Sequence, residues 1–167
     1  DKVGYFDETL VRNQDDEFNY RLLRGGFKIW LDAGIHSKYY VRASRKKLFK
    51  QYYQYGYWKV FVNKKFKRIT TVRQLVPMLF VAYLVIGWIP ALWTCPWWYI
   101  FAFGMAVYFL MAWYFAGKKE KSLSGKINII GIFLILHIGY GIGYWEGIWR
   151  FLLLGKNPGK THEKLSR

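Results

Sequence analysis

Charged and apolar positions are segregated along this chain. Between Gln74 and Gly117 lie 44 consecutive residues with no charged side chain. A soluble core does not need such a run, whereas a membrane span needs about 20 apolar residues to cross roughly 30 Å of hydrocarbon. The run therefore predicts a helical hairpin, with spans Leu75–Trp93 and Trp97–Ala116 and a tight turn at Thr94-Cys95-Pro96. Trp93, Trp97, Trp98 and Tyr99 cluster at that turn, where the membrane–water interface favours aromatic rings. Pro77 falls in a first helical turn, where proline is tolerated, and Pro90 falls where it can kink the helix.

A third apolar stretch, 127–154, is broken by His137, Glu146 and Arg150 and by Gly139, Gly141, Gly143 and Gly147. It reads either as a third span or as a re-entrant or interfacial segment. Glu146 and Arg150 are spaced to pair on a helix, and the glycines suit close helix packing. Upstream, Ser44 is placed to cap a helix running to about Asn63. Leu48, Tyr52, Tyr55 and Val62 share one stripe of it and lysines lie elsewhere, which predicts an amphipathic helix on the membrane surface. Residues 1–43 read as mixed α/β. A helix starts at Asn13 or Asp15 and is stopped by Gly25-Gly26. A strand is predicted over Phe27–Leu31, and Ile35–Val41 reads as a strand or an extended loop.

Charge sharpens this division. Seven of the ten acids lie in residues 1–32, and the formal net charge is +16. The basic residues crowd beside the apolar run, from Arg42 to Arg73 before it and at Lys118, Lys119, Lys121 and Lys126 after it. That placement follows the positive-inside rule and attraction to anionic lipids, so nucleic acid is set aside as a partner. Both outer ends of the hairpin are expected in the cytoplasm. The single cysteine, Cys95, excludes an internal disulfide.

Two segments carry candidate chemistry. Asp15, Asp16 and Glu17 sit at a helix start, where a carboxylate can take a proton from an alcohol. Acids there also favour the helix dipole without any catalytic role. In Gln51-Tyr52-Tyr53-Gln54-Tyr55, helical spacing puts Gln51, Gln54 and Tyr55 on one face, where amides and a ring can hold a sugar or a diphosphate. His36 reads as a loop histidine. His137 reads as one that satisfies a carbonyl or lines a small polar cleft.

In order along the chain come Val3-Gly-Tyr-Phe-Asp-Glu8, Asn13-Gln-Asp-Asp-Glu-Phe-Asn-Tyr-Arg-Leu22, Gly25-Gly26, Tyr39-Tyr-Val-Arg42 and Gln51-Tyr-Tyr-Gln-Tyr-Gly-Tyr-Trp-Lys59. This series resembles family 2 glycosyltransferases of the GT-A fold, and most closely the succinoglycan-type exopolysaccharide transferases of bacteria. The resemblance covers residues 1–73 and is architectural beyond them. It implies that Asp15 is the catalytic base, with Asp16 the rival assignment. Gln14 stands where the family has a glutamate, and Glu17 matches the family's second acid. The family's Gln-x-x-Arg-Trp motif reads here as Gln51, Gln54 and Tyr55, losing a cation and keeping a ring. Arg42 is a candidate source of nearby positive charge.

These readings predict an α/β C-terminal remnant of a GT-A domain over 1–43 and an amphipathic interfacial helix with a basic linker over 44–73. A transmembrane hairpin over 74–117 and a cytoplasmic basic loop over 118–126 follow. The third membrane or re-entrant segment is 127–154, and a basic tail is 155–167. The expected activity is inverting sugar transfer from a nucleotide-sugar donor to a lipid-linked or polysaccharide acceptor, at a multi-pass membrane site facing the cytoplasm. The alternative is a non-enzymatic membrane hairpin that serves as an anchor or assembly subunit. The resemblance implies a divalent cation, Mg or Mn, held by residues that precede this chain, and no metal ligand is assigned within it. The 167 residues alone are expected to transfer no sugar. An assay of the isolated chain with nucleotide-sugar donors checks this, and measurable transfer contradicts it.

Overall fold

The computed structural model describes residues 2–38, 44–87, 89 and 95–157. Its regular elements are all helical: α1 Gln14–Arg24, α2 Arg45–Phe66, a 3-10 turn Val72–Gln74, α3 Leu75–Ile86, α4 Cys95–Gly117, and α5 Leu123–Gly147, which continues as a π-helical turn Ile148–Leu153. The α/β expectation is thereby corrected, because no strand occurs among the described residues. Phe27–Leu31 and the described part of Ile35–Val41 are irregular and exposed. Alternation can suit a segment to a sheet but cannot supply the neighbouring strand that its backbone N–H and C=O groups need.

Helix α1 begins at Asn13, a left-handed residue with φ 61°, and has its three acids in the first turn. It stops as expected: Gly26 takes φ +82°, and the Phe27 N–H donates to the Leu22 carbonyl at 3.0 Å. Helix α2 outruns its predicted end by one turn and closes on Lys67 at φ 52°. The Asn63 side chain pins the chain as it turns back. Its Oδ1 accepts from the Thr70 N–H and hydroxyl at 3.1 Å each, and its Nδ2 donates to the Tyr144 hydroxyl at 3.0 Å. This return brings Gln74 beside α2.

The core lies where α2 meets α5 and the segment before α1. Leu10, Tyr57, Trp58, Val60, Val62, Phe66, Tyr144 and Phe151 are buried together. The predicted stripe was too narrow. Val62 is buried but Leu48, Tyr52 and Tyr55 are only half-buried, because α2 is covered on several sides through its middle turns.

Glycine makes the central contact possible. A Cβ at Gly143 would lie 2.0 Å from the Tyr53 carbonyl oxygen, and one at Gly56 would lie 2.1 Å from that of Tyr140. Gly139 faces Phe49 and Gly147 faces Tyr57 in the same way, so the two helices run parallel in register. Gly141 turns to the other side and meets Pro77 of α3. The expected pairing of Glu146 with Arg150 forms at 2.9 Å, and the Tyr53 hydroxyl also donates to Glu146.

Helices α3 and α4 pack antiparallel. The Tyr83 hydroxyl donates to the Phe101 carbonyl at 2.6 Å, and the Phe80 and Tyr108 rings stack at 4.4 Å. His137 reaches the Tyr108 hydroxyl at 3.0 Å. Among the described residues two helical stretches are long and apolar enough to cross a membrane, Pro96–Gly117 and Leu123–Leu153. The described part of the first predicted span is the shorter helix α3, and residues 88 and 90–94 lie outside the described residues. Along α4, Ile100, Phe103, Leu110 and Tyr114 are exposed, a surface suited to lipid rather than to water.

Replacing Gly143 with Leu forces a side chain onto the Tyr53 carbonyl and is expected to cost about 3 kcal/mol. Gly131→Leu, where a Cβ meets nothing within 4 Å, is the control. Unfolding in detergent followed by tryptophan fluorescence checks the pair: the first variant loses stability and the second keeps it.

Candidate functional site

Four parts of the chain surround a polar cleft of about 500 Å³. Asn13, Asp15 and Asp16 come from the start of α1, Tyr55 and Lys59 from α2, Thr71 and Gln74 from the return, and Tyr140 from α5. The seating of α1 creates it. Asn13 spends its amide on the Tyr55 carbonyl at 3.1 Å instead of capping its own helix. Lys59, 8 % exposed, donates to Asp16 at 2.5 Å.

The two candidate bases therefore differ. Asp16 is held by an ammonium, whereas among the described residues no cation pairs with Asp15, which stands exposed at the cleft wall. Glu17 does not line the cleft. Its side chain is fully buried and accepts from Arg21 Nε at 2.8 Å and from Lys65 at 2.6 Å. Arg21 continues to the carbonyls of Val3 and Tyr5, and Lys65 continues to Asp7 at 2.7 Å. This cluster binds residues 3–21 to α2.

The remaining predicted site residues divide. Tyr55 lines the cleft. Gln51 donates to the Tyr55 hydroxyl at 2.8 Å and so steadies a cleft residue from behind. Gln54 is buried and accepts from Arg12 Nε at 3.2 Å. Gln14 turns back to the Leu10 carbonyl at 2.5 Å. Arg42 lies outside the described residues. Sequence reasoning missed Asn13 as a wall residue, and missed Lys59, Thr71, Gln74 and Tyr140. Gln74 opens the uncharged run and passes for a boundary residue, and Tyr140 is hidden among apolar neighbours. The signal available was a lone amide directly before an apolar helix. Among the described residues no three His, Cys, Asp or Glu side chains converge to hold a metal.

Fold and cleft together define a helical module with membrane-length apolar helices and a carboxylate-lined cleft built on a basic, aromatic helix. The chain is similar to the succinoglycan biosynthesis protein ExoA of Rhizobium meliloti (strain 1021), with 28% identity over 152 residues, 89% of this chain and 44% of that protein. It is also similar to the dolichyl N-acetyl-alpha-D-glucosaminyl phosphate 3-beta-D-2,3-diacetamido-2,3-dideoxy-beta-D-glucuronosyltransferase of Methanococcus voltae. That match is 45% identical over 51 residues, 30% of this chain and 16% of that protein. The chain thus spans less than half the length of either relative. No family model matches the sequence, and no solved structure does. The two likenesses bear out the resemblance to family 2 glycosyltransferases carried by the motifs.

Partial burial opposes the ionisation of Asp7, but the bonds from Lys65 and Thr9 outweigh it and hold the carboxyl below its ordinary 3.8. Burial likewise opposes the charge on Lys65, but Asp7 and Glu17 outweigh it and raise its value above 10.5. A depressed acid stabilises the fold above its unfolded value and loses that contribution as pH falls through the folded one. A raised lysine contributes below its unfolded value and loses it as pH rises through the folded one. The seating of α1 is therefore expected to hold between about pH 4 and pH 10 and to loosen outside that window. Glu17→Gln breaks a buried ion pair at a cost of about 3 kcal/mol. Urea titration of a fluorophore on Asn19→Cys, repeated across pH, reads both effects as a lowered midpoint.

Proposed function

We propose that this chain is the acceptor-side, membrane-bound part of an inverting glycosyltransferase. It serves transfer from a nucleotide-sugar donor to a lipid-linked or glycan acceptor, with the cleft on the cytoplasmic side of the cell membrane and anionic lipids held by its basic residues. The observation that carries this reading is Asp15, a carboxylate with no paired cation among the described residues, on the wall of a polar cleft that opens beside the apolar helix α3. The relative from Methanococcus voltae is named as a glycosyltransferase acting on a dolichyl-linked sugar, which fits an acceptor delivered from the bilayer.

In the proposed step, Asp15 takes the proton of an acceptor hydroxyl as that oxygen bonds to the anomeric carbon of the donor. The bond from that carbon to the diphosphate breaks with its electron pair, the nucleoside diphosphate leaves, and the configuration at carbon inverts. Lys59 occupies Asp16 in an ion pair at 2.5 Å, which leaves Asp15 as the acid available to the acceptor hydroxyl. Gln51 holds the Tyr55 ring against the cleft. The described residues do not fit the divalent cation that the family resemblance implies. No three ligating side chains converge, and Asp16 is taken by Lys59. No step of this scheme runs through a metal.

Asp15→Asn in the full-length protein is expected to lower transfer by a factor of about 10² to 10⁴, while membrane insertion is unchanged. Transfer assays on membranes of matched protein content measure this. Turnover near the wild-type rate would contradict the assignment.

A further inference from the structure

Gln74 is the one side chain whose buried polar atoms lack a partner among the described residues. It is 7 % exposed, both amide atoms are shielded from solvent, and it lines the same cleft as Asp15. An amide left so bears the desolvation of both its polar atoms unrepaid, which a ligand in the cleft would recover. A primary amide offers a donor and an acceptor side by side. Adjacent hydroxyls of a pyranose ring present the matching pair. The charge of the cleft selects further: Asp15 and Asp16 stand against Lys59 alone, so a phosphate is repelled and a neutral sugar is not. Thr71 adds a hydroxyl, and Tyr55 and Tyr140 add rings.

We infer that Gln74 anchors the acceptor sugar, binding a vicinal diol of a neutral pyranose so that another hydroxyl of the ring meets Asp15. This rests on the glycosyltransferase reading and extends it to the acceptor subsite. The test uses full-length protein in lipid nanodiscs. Saturation-transfer NMR is recorded with the methyl β-pyranosides of glucose, galactose and N-acetylglucosamine, and with inorganic pyrophosphate as competitor. At least one glycoside is expected to bind the wild type and Asp15→Asn alike, to bind Gln74→Leu about tenfold more weakly, and to resist pyrophosphate. Absence of glycoside binding to the wild type, equal binding by Gln74→Leu, or displacement by pyrophosphate each overturns the subsite. Active Asp15→Asn protein that still binds glycosides through Gln74 overturns the base assignment alone.

A separate observation bears on how α5 meets the membrane. By length and composition Leu123–Leu153 can span a bilayer. However, α2 runs parallel beside it, with Phe49, Tyr53 and Tyr57 opposite Gly139, Gly143 and Gly147. That register sets Arg45 near residue 135, and Arg45 reaches back to Asn128 at 2.7 Å. Helix α2 carries Arg45, Lys46, Lys47, Lys50, Lys59, Lys64 and Lys65. Such a helix does not enter hydrocarbon, and it holds residues 135–150 of α5 at its own level. The remaining 12 residues, 123–134, reach about 18 Å at 1.5 Å each, too short for a 30 Å core. We infer that α5 lies in the membrane surface beside α2. Its exposed Ile142, Trp145, Trp149 and Leu152 enter an anionic leaflet, and only the hairpin crosses. Lys156 then stays on the side of Lys119. In cells making full-length protein with Cys95→Ser, Lys119→Cys and Lys156→Cys are expected to react with a membrane-impermeant maleimide from the same side. Labelling from opposite sides overturns the placement.

Discussion

Where α2 runs beside α5, the carbonyls of Tyr53 and Tyr140 occupy the space that a Cβ at Gly143 and Gly56 would need. Backbone therefore meets backbone, and the rest of the structure hangs on that contact. It brings Tyr140 to the cleft from one helix and Tyr55 and Lys59 from the other. It also ties a helix rich in cations to one rich in apolar residues, so neither can choose its depth in the membrane alone.

Upon this pair the acidic segment is fastened by charge. Glu17, Arg21, Lys65 and Asp7 form a cluster whose center is wholly buried, and Asp16 closes on Lys59. A buried ion pair adds little net stability over an apolar contact, but it fixes register, because a misplaced partner leaves a buried charge unpaired. Every acid of the first turn except Asp15 is spent in this way. Of the two carboxylates that line the cleft, Asp15 is the one left without a paired cation among the described residues.

Much of this was legible in the sequence. The α1 helix with its Gly25-Gly26 stop, the pairing of Glu146 with Arg150 and the packing use of the glycines all follow from local rules and hold in the structure. The predicted hairpin does so only in part, since Cys95 and Pro96 open α4 instead of forming the turn and residues 90–94 lie outside the described residues. The predicted strands failed because a strand is a relation between segments, and Phe27–Leu31 has no partner strand among the described residues. Within the site, Asp15 and Tyr55 were visible because motif residues mark them. Gln74 and Tyr140 were not, since they reach the cleft only after α2 has turned back at Asn63 and α5 has packed beside it. Gln54 and Glu17 had the right residue types for binding, yet the fold uses both to hold itself together.

The account depends on α1 being seated on α2 in the membrane-bound protein, since that contact builds the cleft. A zero-length carbodiimide cross-link tests it directly. It joins only an amine and a carboxylate already in contact, and the Lys59–Asp16 separation is 2.5 Å. Peptide mass spectrometry of protein treated in lipid bilayers should recover Lys59 joined to Asp16. Recovery of unmodified Lys59 while other ion pairs couple would mean that the acidic helix sits elsewhere and that the cleft does not exist as described.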